Sequence, residues 1–195
     1  MIDFEGAKNF ILDKLSRELR PELQYHNLEH TLDVLESAER LAGLENENGH
    51  NLLLLRTAAL FHDSGMLIRY AEHEEASTRL TKKYLPEFGY SQQDIDLINK
   101  MILSTKLPQS ASTKLEKILC DADLDYLGRD DFYMIAHRLQ FEWKQLNVHK
   151  TTLSEWYRLQ LDFLAHHGYF THSARTLRQE KKNIHLAEIK ELLRE

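Results

Sequence analysis

The chain has 195 residues, 42% hydrophobic and 29% charged, a balance that suits one fairly large globular domain with a real core. Its net charge of −6 argues against a protein that grips a nucleic-acid polymer or an anionic membrane mainly through electrostatics. The single cysteine, Cys120, excludes an intramolecular disulfide framework and leads us to expect a reducing, cytoplasmic setting.

Seven glycines and three prolines leave little turn material, and the apolar periodicities are helical. The N-terminal "MIDFEGAKNFILDKL" mixes acids and bases among its apolar positions, so it does not read as a signal peptide. A first helix is predicted over 4–19, with Pro21 closing it, and a second over 28–43. The loop "ENENGHN" separates these from a helix over 52–63 that is apolar almost all round and is expected to cross the centre of the domain. Further helices are predicted over 74–85, 92–104, 113–126, 131–145, 153–166 and 173–193. No β-alternating run, internal repeat, low-complexity segment or stretch of roughly 20 apolar residues able to span a bilayer interrupts them. The expectation is one all-α domain over 1–195, a bundle of about nine helices.

Eleven histidines direct attention to metal or proton chemistry. "YHNLEH" spaces His26 and His30 by four residues, which puts both rings on one face if the helix already includes that turn. His62 and Asp63 form a doublet where the apolar helix ends before Gly65; His73 opens "HEEAS"; and Asp121, Asp123 and Asp125 follow the apolar "KILC". Imidazoles and carboxylates together form a mixed nitrogen–oxygen shell suited to manganese, iron, nickel, cobalt or zinc, and to magnesium if oxygens dominate. The residues alone leave other readings open. His30 fits a hydrogen-bonded core histidine, His62–Asp63 a helix cap, and Asp121 an N-cap or surface acid. For Asp123 and Asp125 the cap or surface reading is preferred. No zinc-finger spacing, glycine-rich phosphate loop or G-x-S-x-G elbow is present.

In order, His30, His62–Asp63 and Asp121 resemble the H…HD…D signature of the HD superfamily of metal-dependent phosphohydrolases. The flanks "YHNLEHT", "AALFHDSG", "HEEAS" and "ILCDADLDYLG" strengthen the likeness, which looks closest to a bacterial group of predicted metal-dependent HD-superfamily phosphohydrolases. Thr105–Lys106 in "ILSTK", together with "FLAHHGYFTHSAR" and "KKNIHLAEIKELL", extend it from about residue 24 to the end. The resemblance implies an all-α HD fold, with core motifs over 25–127 and C-terminal helices over 131–193. It implies one divalent metal held by His30, His62, Asp63 and Asp121, and hydrolysis of a phosphoester by metal-bound water. Asp63, or a neighbouring carboxylate, would help orient that water. His26 would protonate the leaving oxygen, Lys106 would hold a phosphate oxygen, and His73 would contact substrate or a second metal.

Dinuclear relatives carry further histidines after the doublet, where this chain has Ser104–Thr105, so a mononuclear site is expected. Guanosine tetraphosphate hydrolases usually follow the doublet with an acidic pair, whereas here it reads "HDSGM". The expected partner is a small phosphorylated molecule, with nucleotides among the candidates. The rival expectations are a nucleotide- or metal-binding regulatory module without turnover, and an iron-dependent HD oxygenase. Oligomeric state is not legible in the pattern.

Overall fold

Short polar side chains set where the helices begin. In the computed structural model, which describes residues 1–193, Asp3, Asn27, Ser91, Thr113, Thr152 and Thr171 each accept a hydrogen bond from a first-turn backbone N–H. The elements are α1 (Phe4–Glu18), α2 (Leu28–Leu44), α3 (Gly49–Phe61), α4 (His73–Tyr84), α5 (Gln92–Ser104), α6 (Lys114–Asp123), α7 (Phe132–Gln145), α8 (Leu153–His166) and α9 (His172–Leu192). Short 3-10 turns, Ser64–Leu67, Leu85–Phe88 and Asp125–Gly128, link several of them, and no β-strand occurs among the described residues. The last two positions of the expected 1–195 domain lie outside those residues.

The all-α bundle is the fold expected, with two informative shifts. α3 starts at Gly49, so the preceding loop is shorter than its polar composition suggests. α6 stops at Asp123 rather than near 126, because the chain tightens into the 3-10 turn that follows. Asp125 in that turn is 1% exposed, and its carboxylate accepts hydrogen bonds from Arg40 on α2 and from Arg178 on α9 at 2.8–3.0 Å. Those charge-assisted bonds fasten the turn to helices from both ends of the chain.

α3 crosses the centre, packing against α1, α2, α4, α5 and α6. Leu54, Leu55, Leu60 and Phe61 on it are at most 1% exposed, and burial of each such side chain contributes about 1.5–3 kcal/mol. This first hydrophobic cluster is built mainly from α1–α6. A second joins Tyr25, Tyr126 and Leu127 to Phe132, Trp156, Leu164 and Ile189 of the last three helices. The side chains with metal-binding chemistry collect where these two clusters meet. No helix among the described residues is long and apolar enough to cross a membrane.

Candidate metal centre and adjoining cavity

Asn27 fixes the start of α2 by accepting the His30 N–H at 3.0 Å, which puts His30 in the first turn and His26 before the helix. The two rings therefore do not share a helical face through i, i+4 spacing. α3 ends at Phe61, so His62 and Asp63 leave it as the chain enters a 3-10 turn. Gly65 makes that exit possible: a Cβ there would lie 1.9 Å from the His73 carbonyl oxygen at the head of α4. Ser77 completes the joint, donating to the His62 carbonyl and accepting from the Gly65 N–H, both at 2.7 Å.

His62, His30 and Asp123 converge. The His62 Nδ1 donates to the Ala59 carbonyl at 2.8 Å, leaving Nε2 to face the cluster. That nitrogen lies 3.4 Å from His30 Nε2, 3.2 Å from Asp63 Oδ2 and 3.6 Å from Asp123 Oδ1. His30 Nε2 is 3.2 Å from Asp123 Oδ1 and 3.5 Å from Asp63 Oδ2. Asp63 Oδ2 is buried and has no hydrogen-bond partner among the described residues.

A second grouping opens from the other oxygen of Asp63. His73 Nε2 lies 3.1 Å from Asp63 Oδ1, while its Nδ1 donates to the Tyr70 carbonyl at 3.1 Å. The ligand atoms of His26, Asp63 and His73 lie within 4.8 Å of one another, as do those of His30, His62 and Asp123. His26 is held from behind by Glu142 of α7, whose side chain is fully buried. Its carboxylate accepts from the Tyr25 and His26 backbone N–H groups at 2.8 and 3.0 Å, from His26 Nδ1 at 2.5 Å and from the Tyr70 hydroxyl at 3.0 Å.

The local electrostatics favour positive charge at the centre. Burial opposes a charge on His62, but Asp63 and Asp123 outweigh it and hold its pKa well above the ordinary value. Burial likewise opposes a charge on His73, yet the hydrogen bond and charge of Asp63 raise it to about 9. On Asp123 the cost of burial is overcome by His30 and His62, and its carboxyl falls to about 2. Nitrogen and oxygen lone pairs so arranged attract a proton or a metal ion, and the donor set, two imidazoles with two carboxylates, fits a divalent cation.

Two expected roles meet a different geometry. Asp121 is fully buried and turned away: its oxygens accept from the Phe170 N–H at 2.8 Å and from the Thr171 N–H and hydroxyl at 2.7 Å, so they tie α6 to the head of α9. Residues two apart on a helix diverge by about 200°, so only one of Asp121 and Asp123 faces the cluster, and it is Asp123. Lys106 is bonded to Glu75 at 2.5 Å on the exposed surface, while its neighbours Thr105 and Leu107 line the cavity instead. His26, His30, His62, Asp63 and His73 are brought together.

The cavity beside the cluster has a volume of about 430 Å³ and is lined by His26, Asp63, His73 and Asp123 together with side chains of α7 and α8, among them Trp143 and Phe163. Two polar residues not legible as functional in the sequence stand at this site, Gln160 in the cavity wall and Glu142 behind His26. Glu142 sits between Leu139 and Trp143 on one face of α7, and Gln160 sits between Trp156 and Leu164 in the buried stripe of α8. A polar residue at a core position of a helical stripe is the signal that could have found both.

Removing the Glu142 carboxylate leaves four donors without an acceptor in a buried place. Glu142→Ala is expected to lower stability by about 3 kcal/mol, read as a shift in denaturation midpoint, with Glu142→Gln losing less.

Comparison with known proteins adds a family and a fold. A family model described as HD domain matches residues 27–125. An uncharacterized protein of Clostridium beijerinckii is 36% identical over 81 residues, which cover 40% of this chain and 51% of that protein. The match thus spans about half the length of that curated relative. Three solved structures are similar at the level of fold. A predicted HD superfamily hydrolase from an uncultured Thermotogales bacterium has a TM-score of 0.62 at 20% identity, covering 97% of this chain and 90% of its own. Bacillus subtilis YpgQ in complex with ADP has a TM-score of 0.63 at 21% identity, covering 95% of each chain. A Lactobacillus plantarum protein has a TM-score of 0.71 at 19% identity, covering 98% of this chain and 97% of its own.

Proposed function

Because the chain belongs to the HD-domain family, we propose that it is a divalent-metal-dependent phosphohydrolase acting on a small phosphoester, with nucleotides the favoured class. The observation that carries the proposal is the convergence of His30, His62 and Asp123, with the buried Oδ2 of Asp63 facing the same two imidazoles. Those four residues would hold the cation, with manganese, iron, nickel, cobalt, zinc and magnesium all compatible with the donors. When bound, it supplies positive charge beside a phosphoryl oxygen and makes a coordinated water more acidic.

The remaining chemistry belongs to side chains of this chain. Glu142 holds His26 through Nδ1, so Nε2 is the nitrogen that can give a proton to the departing oxygen. His73, fixed by the Tyr70 carbonyl, borders the same cavity and can contact the phosphoryl group. Trp143 and Phe163 shield the organic part of the substrate from water. The ADP held by the structurally similar YpgQ supports a nucleotide as ligand. The His26, Asp63 and His73 grouping favours a second reading, in which those residues hold a further cation.

The test is elemental analysis of protein loaded with each metal in turn, followed by hydrolysis assays on p-nitrophenyl phosphate and nucleoside mono-, di- and triphosphates. One ion per chain with metal-dependent turnover is expected, and two ions per chain would select the second reading. Nucleotide binding without turnover under every metal would make the protein a regulatory module instead. Absence of both metal and turnover would overturn the proposal.

A further inference from the structure

The cavity wall contains a polar side chain that neither the cation nor the proton transfer requires. Gln160 is 7% exposed, lies between Trp156 and Leu164 in the buried stripe of α8, and borders the cavity. Its carboxamide has no hydrogen-bond partner among the described residues, and its polar atoms are not sealed inside protein. Two other polar groups of the wall are already engaged. The Thr105 hydroxyl donates to the Ile102 carbonyl at 2.8 Å, and the Tyr70 hydroxyl to Glu142 at 3.0 Å. With no protein partner, the amide keeps its donors and acceptor for whatever enters the cavity, water or a ligand.

The surroundings narrow what that ligand is. Trp143 and Phe163 line the same cavity as Gln160 and bring aromatic surface to it, the kind of surface that packs against a planar ring. A primary amide presents a donor and an acceptor side by side, which matches the neighbouring acceptor and amino group on an adenine-type edge. Neither lysine nor arginine lines this cavity among the described residues, so beyond the cation no basic side chain is placed to neutralise a chain of further phosphates.

We infer that Gln160 is the specificity-determining residue of a ring-binding chamber, hydrogen-bonding the amino-substituted nitrogen heterocycle of a nucleoside monophosphate whose phosphate lies at the metal cluster. The phosphate half of this inference rests on the proposed phosphohydrolase function. The ring half does not, because a nucleoside without phosphate probes the chamber alone.

The experiment titrates the full chain with adenosine, without metal, by calorimetry and by tryptophan fluorescence, to which Trp143 and Trp156 both contribute. A parallel titration uses ribose 5-phosphate with Mn²⁺. Gln160→Leu removes the amide at nearly constant volume, and Gln160→Met provides a second unbranched variant should the first fail to fold, with thermal melting as the check. Both variants are expected to bind adenosine about tenfold more weakly, with ribose 5-phosphate binding unchanged. Adenosine binding that is absent in the wild type, or equal in wild type and variants, overturns the inference. So does a parallel loss of ribose 5-phosphate binding, which would make Gln160 a structural residue. Intact, Gln160-dependent adenosine binding without any Mn²⁺-dependent binding of ribose 5-phosphate would support the chamber while counting against the phosphohydrolase reading.

Discussion

Asp63→Ala is expected to lower divalent-metal affinity at least a hundredfold and phosphoester hydrolysis by about three orders of magnitude, while the helices stay folded. The carboxylate faces both histidine groups at once: Oδ2 lies 3.2 Å from His62 Nε2 and 3.5 Å from His30 Nε2, and Oδ1 lies 3.1 Å from His73 Nε2. Among the described residues, no other side chain faces both sets through two oxygens of one group. Its loss removes a ligand and the charge that offsets three neighbouring imidazoles. Metal content by elemental analysis, turnover with p-nitrophenyl phosphate and far-ultraviolet circular dichroism on the same sample check the three parts. Metal content and turnover equal to wild type would remove Asp63 from the centre.

The second large effect separates two aspartates that stand two residues apart. Asp121→Ala is expected to lower stability by about 2–4 kcal/mol with metal stoichiometry kept in the folded fraction, because three donors at the head of α9 lose their acceptor. Asp123→Ala is expected to do the opposite. Metal retention falls by more than tenfold while the denaturation midpoint of the metal-free protein moves by less than about 1 kcal/mol, since among the described residues its carboxylate pairs with the cluster histidines. Denaturant titration and metal analysis of the two proteins side by side decide the assignment. Loss of metal from Asp121→Ala with Asp123→Ala unaffected would restore the order implied by the family resemblance.

That reversal shows where sequence reasoning was strong and where it ran out. The helices were legible because apolar residues repeat at helical spacing and capping residues mark their starts. The 52–63 segment announced itself as central because it is apolar nearly all round, and α3 is indeed the most buried path through the first cluster. His30, His62, Asp63 and His73 were legible as residues of interest because charged or ionisable groups stood at the ends of such segments. The choice between Asp121 and Asp123 was not, since it depends on the rotation of α6 against α2 and α9. Nor was Lys106, in the turn after α5, whose partner Glu75 lies 31 positions away on α4. Glu142 and Gln160 lie on helices of the second cluster, more than 75 positions from the doublet, and only the packing of α7 and α8 brings them to the site.

The division of the core into two clusters gives ligands unequal leverage over the fold. His30, His62, Asp63 and Asp123 all belong to the α2–α3–α6 side, so an ion bound there resists unfolding of that side alone. A molecule lying against Trp143, Gln160 and Phe163 as well as the cluster touches both sides, and its binding free energy becomes a coupling between them. An ion bound in this way would prepare one half of the cleft, and an organic group would join that half to the other.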